Sequence, residues 1–589
     1  MAWHGKRRLG AVLSVLSLGA LTAALSGCGS SSDDDDSQPT LRQTRYGAVR
    51  GTDDSAQSGT WAWKGIPFAK PPVGALRWKA PADPEAWSGT RDASKFANAC
   101  VQYGRIYGPG ANNTYDATIG TTLNQAVGSE DCLYLNIWRP ASNAAGLPVI
   151  VFIHGGSNVS GYTADPVYDG AALAKAADAV VVTVNYRLGI FGWLNLPQLK
   201  EGASAAEDSG NFATLDNIKA LQFINGNIAA FGGNPDNVTV MGQSAGAINV
   251  YALLTSPLVA GANPKLMHKA VPMSGGISLA SNVPPGSIPT LNPASTALAQ
   301  GNALLNALLI ADRLATDDAT AQAYAATQTP AQIAAYLRAK DPATLLLTLL
   351  TKLAPLGLAG SGPIPDGAVL PEDPIAAINA GNYLKVPVLA GNTRDEAKLF
   401  PTFLALAPAL GGVSGRLVSD ATLFATQLGY NPDAPPAVTI EQWIPAQYLP
   451  VTTPVTGFNA KTDLLNAIFF GTSRDNVMTA LKSQQDKVWY YRFDWDEEPA
   501  PWNDIYGAAH AFDLPFVFGT FGPSLFANVA NSTANRPGRL ALSNAMMQSV
   551  AAFARSGDPN NAALGVAWPA WPSQLLFDAS ATAASISVQ

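Results

Sequence analysis

The chain has 589 residues, 47% of them hydrophobic, which is ample for a large buried core. It carries 43 Asp and Glu against 36 Lys and Arg, a net charge of -7, with the charges scattered apart from two short runs near the N-terminus. Nucleic-acid binding would need a clustered basic face, and none is present. Length alone favours two or more domains, but that prior is soft for large α/β enzymes, and one domain over residues 40–589 is the leading reading.

Taken in chain order, residues 1–27 read as a signal peptide. Lys6, Arg7 and Arg8 supply the positive region, and Leu9 to Leu25 an apolar stretch too short and one-sided for a convincing membrane span. The sequence Leu25-Ser26-Gly27-Cys28 resembles the lipobox of bacterial lipoproteins, in which the cysteine is acylated and opens the mature chain. Ordinary cleavage near Ala23 or Ala24 is the alternative. Residues 28–39, rich in Gly, Ser and Asp, then read as a flexible tether. Export with a lipid anchor at the cell envelope follows, and Gly29 after the cysteine fits outer-membrane sorting in a Gram-negative source; a periplasmic or secreted protein is the alternative. Acylation of Cys28 leaves Cys100 and Cys132, an even pair in a compartment where disulfides persist, so a bridge is expected and two buried thiols are the alternative.

The globular part begins near Thr40 with short strand and turn segments, among them 46–50 and 64–78. The runs Leu147–Ile153 and Ala179–Val184 are continuous, apolar and β-branched, as expected of strands buried on both faces. A helical stretch lies between them at Gly170 to Ala177. Another at Leu215 to Phe231 leads into the strand Asn237–Met241 and a further helix from about Ala247. This alternation predicts an α/β fold, a mostly parallel sheet covered by helices. Ala- and Leu-rich helices follow at 296–309 and 329–339, expected on or over the sheet. Later strands fall at Val386–Ala390 and Val488–Arg492. No fixed-period repeat is present, which sets a solenoid or propeller aside.

The sharpest chemical signal is Gly242-Gln243-Ser244-Ala245-Gly246, placed where a strand gives way to a helix. Small residues there allow the tight, strained turn of a nucleophile elbow, with the serine hydroxyl projecting and the next N–H facing the reacting carbonyl. A serine hydroxyl is a weak nucleophile and needs a base, itself oriented by an acid. Four histidines are available. His4 lies in the signal, His154 precedes Gly155-Gly156 where an oxyanion turn is expected, and His268 comes before any obvious later acid. That leaves His510, which follows the serine in the order this fold class uses. For the acid, Glu396, just past the Val386–Ala390 strand, is the best candidate and its neighbour Asp395 the immediate competitor, with spacing favouring Glu396 only slightly.

Many segments in one order resemble the type-B carboxylesterases, the family that also contains cholinesterases and bile-salt-activated lipases. They include GIPFAKPPVGALRW at 65–78, SEDCLYLNIWRP at 129–140, VFIHGG at 151–156, VNYRLGIFGWL at 184–194 and NIAAFGGNPDNVTVMGQSAG at 227–246. GNTRDE at 391–396, HAFDLPFVFG at 510–519 and FARSGDPN at 553–560 continue the series, and the likeness spans roughly 40–575. The resemblance implies an α/β-hydrolase fold and the triad Ser244, Glu396 and His510. It also implies oxyanion donors at the N–H groups of Gly156, Ser157 and Ala245, and a Cys100–Cys132 disulfide. Three departures stand out: Gln243 where many members have Glu, Ser157 at the third glycine of the oxyanion turn, and Ala397 in place of the glycine usual after the acid.

The expected activity is hydrolysis of an uncharged, moderately apolar carboxylic ester through an acyl-enzyme. The segment 399–412 is a candidate pocket wall. No metal or organic cofactor is expected, because HExxH, CxxC and Gly-rich phosphate loops are absent from the sequence. A non-catalytic cell-surface binding protein of the same fold, or an amide or lactone hydrolase, are the competing readings.

Overall fold

In the computed structural model, which describes residues 39–400, 417–524 and 527–589, an eleven-stranded sheet organises the chain. Its strands in chain order are β1 Thr52–Asp54, β2 Thr60–Pro67, β3 Tyr134–Pro140, β4 Leu147–Ile153, β5 Val180–Val184 and β6 Gly233–Gln243. They continue with β7 Lys269–Met273, β8 Val388–Thr393, β9 Val488–Phe493, β10 Leu575–Ala579 and β11 Ala584–Val588. The order across the sheet is β11-β10-β9-β8-β7-β6-β4-β5-β3-β2-β1. From β5 to β10 every pairing is parallel, and the flanking pairs are antiparallel. The result is the α/β-hydrolase fold.

The apolar runs are continuous because both faces are covered. Val149, Val151 and Ile153 of β4 join one core, while Ile150 and Phe152 point into the other, and β5 divides the same way. Helix α1, Ala171–Ala177, packs Leu173 and Ala174 on the second face, and α2, Phe212–Asn227, packs Phe223 and Ile224 on the first. Helix α3, Ala245–Thr255, follows β6 directly and adds Val250, Tyr251 and Leu253 to the first face. A buried ion pair between Arg187 and Asp216, with Nη2–Oδ1 at 2.7 Å and Nε–Oδ2 at 2.8 Å, fastens the loop after β5 to α2. Both side chains are almost fully buried.

The helices beyond Ser295 depart from expectation. Helices α4, Ala294–Ala311, α5, Pro330–Arg338, and α6, Pro342–Thr348, belong to a third core with Trp78, Ile190 and Phe191, which contains no strand of the large sheet. Their apolar faces are satisfied mainly by one another, by Ala321 and Ala325 of the neighbouring helix, by Phe212 of α2 and by loops, with Ala294 and Ala297 of α4 reaching the first core, so they form a cap rather than a layer. Cys100 and Cys132 are joined in a disulfide that closes a loop of sequence separation 32. Residues Thr40–Gln589 form one compact unit. Residues 1–38, on which the expected signal peptide, Cys28 and most of the expected tether fall, lie outside the described residues, as does most of the 399–412 segment.

Candidate active site

Ser244 follows the last residue of β6 and precedes the first of α3. Its backbone has φ 58° and ψ -125°, a strained combination for a residue with a side chain. The surroundings hold it there: its N–H donates to the Met273 carbonyl of β7 at 2.8 Å, and its carbonyl accepts from Ala247. A Cβ at Gly246 would stand 2.1 Å from the Ile153 carbonyl oxygen, so only glycine lets the elbow lie against the end of β4.

The turn after β4 carries three successive residues at positive φ, Gly156 at 105°, Ser157 at 56° and Asn158 at 59°. A Cβ on Gly156 would meet the Ser160 carbonyl oxygen at 2.1 Å. Ser157 adopts the left-handed conformation despite its side chain, at a cost of about 1 to 2 kcal/mol that a glycine would avoid. Among the described residues, the N–H groups of Gly156, Ser157 and Ala245 donate to no protein acceptor. Ser157 borders both cavities that meet at Ser244.

His510 and Glu396 come from segments 114 residues apart, yet Nδ1 of the imidazole lies 2.5 Å from Oε2 of the carboxylate. Glu396 sits in the turn just after β8, its other oxygen accepting from Asn392 Nδ2 at 2.8 Å and from the Thr393 N–H at 3.0 Å. Burial alone would raise this carboxyl, but the neighbouring imidazole and these hydrogen bonds outweigh it and hold it below the usual range. Asp395 is differently engaged: it pairs with Arg394 at 2.8 Å and accepts from the Ala508 N–H at 3.1 Å. Spacing put Glu396 only slightly ahead of Asp395, and in the structure it is Glu396 that contacts His510. Ala397 is fully buried and its N–H donates to Asn466 Oδ1 at 2.7 Å, which fixes the turn that carries Glu396.

The other described histidines have structural partners. His154 stacks on Tyr186 with ring centroids 4.7 Å apart, and burial pushes it down to about 4, so it stays neutral. His268 accepts from the Val238 N–H at 3.2 Å. His510 instead lies against the rings of Phe400 and Phe470, which also contact each other, and its Nε2 faces the side-chain nitrogen of Gln243 at 3.1 Å. With Nδ1–H donated to Glu396, Nε2 is the lone-pair side of the ring.

Ser244 and His510 border two cavities. The larger, of about 310 Å³, is walled by Tyr103, Tyr107, Tyr168, Leu346, Leu349, Leu399 and Phe400. The smaller, of about 210 Å³, is walled by Ile248, Phe469, Phe470 and Phe400. Leu399 and Phe400, the described start of the 399–412 segment, are therefore wall residues. Asn392, Phe470 and the Tyr103–Tyr107 stretch were not singled out in the sequence. Only Asn392, four residues before Glu396 within one motif, left a signal there.

A serine at the carboxyl end of a central parallel strand, on a strained turn beside a carboxylate-held imidazole, places the molecule among the α/β-hydrolases with a serine-esterase type of centre. Comparison with known proteins narrows this. The sequence profile of the carboxylesterase family matches residues 38–578. The para-nitrobenzyl esterase of Bacillus subtilis (strain 168) is 33% identical over 532 residues, covering 90% of this chain and 92% of that protein. The cocaine esterase of Homo sapiens is 30% identical over 589 residues, covering 97% and 91%. A solved carboxylesterase of Geobacillus stearothermophilus superposes with a TM-score of 0.67 at 31% identity, covering 93% of this chain and 98% of its own. The chain belongs to the carboxylesterase family and is a hydrolase of carboxylic esters.

Proposed function

We propose that Ser244 is the nucleophile, His510 the base and Glu396 its orienting acid, in a two-step acyl transfer. Ser244 Oγ attacks the ester carbonyl and gives its proton to His510 Nε2. Glu396 holds Nδ1–H and favours the imidazolium that results. The tetrahedral oxyanion is received by the N–H groups of Gly156, Ser157 and Ala245, each such donor typically contributing roughly 3 to 4 kcal/mol. Collapse expels the alcohol, which takes the proton from His510. Water then attacks the acyl-enzyme along the same path and releases the acid and the free serine. The observation that carries this reading is the 2.5 Å contact of His510 with Glu396 on a cavity that also exposes Ser244.

The substrate is a small-molecule ester with mainly apolar arms, a reading supported by the Leu, Phe and Tyr walls of both cavities. The enzyme works outside the cytoplasm, held to the envelope by acylated Cys28, a reading supported by the signal and lipobox sequences.

The test is hydrolysis of p-nitrophenyl esters from acetate to palmitate by the chain lacking residues 1–28, beside Ser244→Ala. The variant is expected to lose at least about a thousandfold in kcat, as triad removals do. Equal rates for a folded wild type and the variant would put the binding-protein reading first.

A further inference from the structure

Most of the larger cavity is apolar and aromatic, but one acid stands in its wall. Asp165 is half-buried beside Tyr168, on the same cavity as Ser244 and His510. One carboxylate oxygen accepts from the Val167 N–H at 3.0 Å, capping the short turn Pro166–Tyr168. The other oxygen has no hydrogen-bond partner among the described residues, and no described cation pairs with the group. The cavity's other charged wall residue, Arg105, is tied to Asp420 at 3.0 Å. His510 is held by Glu396.

A cap alone does not account for this arrangement. Asn or Ser caps a turn as well as Asp does, without placing a net charge among tyrosine rings. An anion in such surroundings is costly unless something pairs with it. The three tyrosines of the wall, Tyr103, Tyr107 and Tyr168, offer ring faces that attract cations.

We propose that Asp165 is a specificity-determining residue that receives a protonated amine on the substrate arm occupying the larger cavity. This rests on the reading of that cavity as the substrate site and refines it at one point: the arm is apolar along its length and carries one basic nitrogen near Asp165. The reaction at Ser244 is unaltered, because the amine is held away from the reacting carbonyl.

The test uses two matched probes, 4-phenylbutylamine and 4-phenylbutan-1-ol, titrated calorimetrically into the purified mature protein at pH 8. Burial pushes the Asp165 carboxyl up to about 6, so it is ionised there, while the amine remains protonated. The wild type is expected to bind the amine about tenfold or more tightly than the alcohol, the scale of one charge-assisted hydrogen bond. Asp165→Asn keeps the cap acceptor, removes the charge and is expected to bring the two affinities together. Asp165→Ser, which also caps, replaces it if the first variant does not fold. A wild type without preference for the amine overturns the proposal, and so does a preference that survives in the variant. Binding is read without turnover, so inactivity towards neutral esters would count against the esterase mechanism and not against this site.

Discussion

At Gln243 a neutral amide stands where many family members carry a carboxylate, and its side chain reaches the nitrogen of His510 that is proposed to accept the serine proton. An amide holds the ring without favouring its protonated form. Gln243→Glu places a negative charge at the same 3.1 Å and favours the imidazolium, so neutral base is reached only at higher pH. The acid limb of kcat/KM against pH is expected to move up by about one unit. An unmoved limb would mean that the contact has no part in the free enzyme. How far such residues were legible depends on how local their constraint is. The elbow was readable because its serine and small residues fall within five consecutive positions, although Gly246 answers to the distant Ile153 carbonyl. Glu396 was only slightly separable from Asp395, because both stand in one turn and the difference is made by partners more than a hundred residues away, His510 for one and Ala508 for the other.

The loop closed by Cys100 and Cys132 is an element in its own right, since Val101, Tyr103, Arg105 and Tyr107 within it wall the larger cavity. Losing the bridge releases a loop of this length in the unfolded chain, so Cys100→Ser/Cys132→Ser is expected to lower stability by about 3 to 4 kcal/mol in denaturant titration. It also loosens that wall. KM should therefore rise more for long-chain p-nitrophenyl esters than for the acetate, and a uniform rise across chain lengths would remove the loop from substrate binding. Element type was readable wherever periodicity was strong: β4, β5, β6, β8 and β9 and helices α1 to α3 fall within a few residues of expectation, whereas β7 and β10 of the parallel core were not anticipated. The partners of α4, α5 and α6 were not readable, because an Ala- and Leu-rich helix shows that it is buried but not against what.

At the scale of the whole molecule, the segment before Thr40 is proposed to have a task apart from that of the globular body. Acylation of Cys28 is proposed to tether the enzyme, and its check is the full-length chain expressed in a bacterium with radiolabelled palmitate. Label and membrane sedimentation are expected for the wild type and neither for Cys28→Ala; an unlabelled, soluble wild type would favour ordinary cleavage. The fold class was legible at this scale, but the two cavities were not, because their walls are assembled from segments as distant as 101–107, 346–350 and 469–470. These unequal chambers meet at Ser244 and share Ser157 of the proposed oxyanion turn, so on the proposed mechanism the oxygen and the two arms of the ester lie in different places. When a stereogenic carbon sits next to the ester group, its two mirror images would have to divide their branches differently between these two chambers.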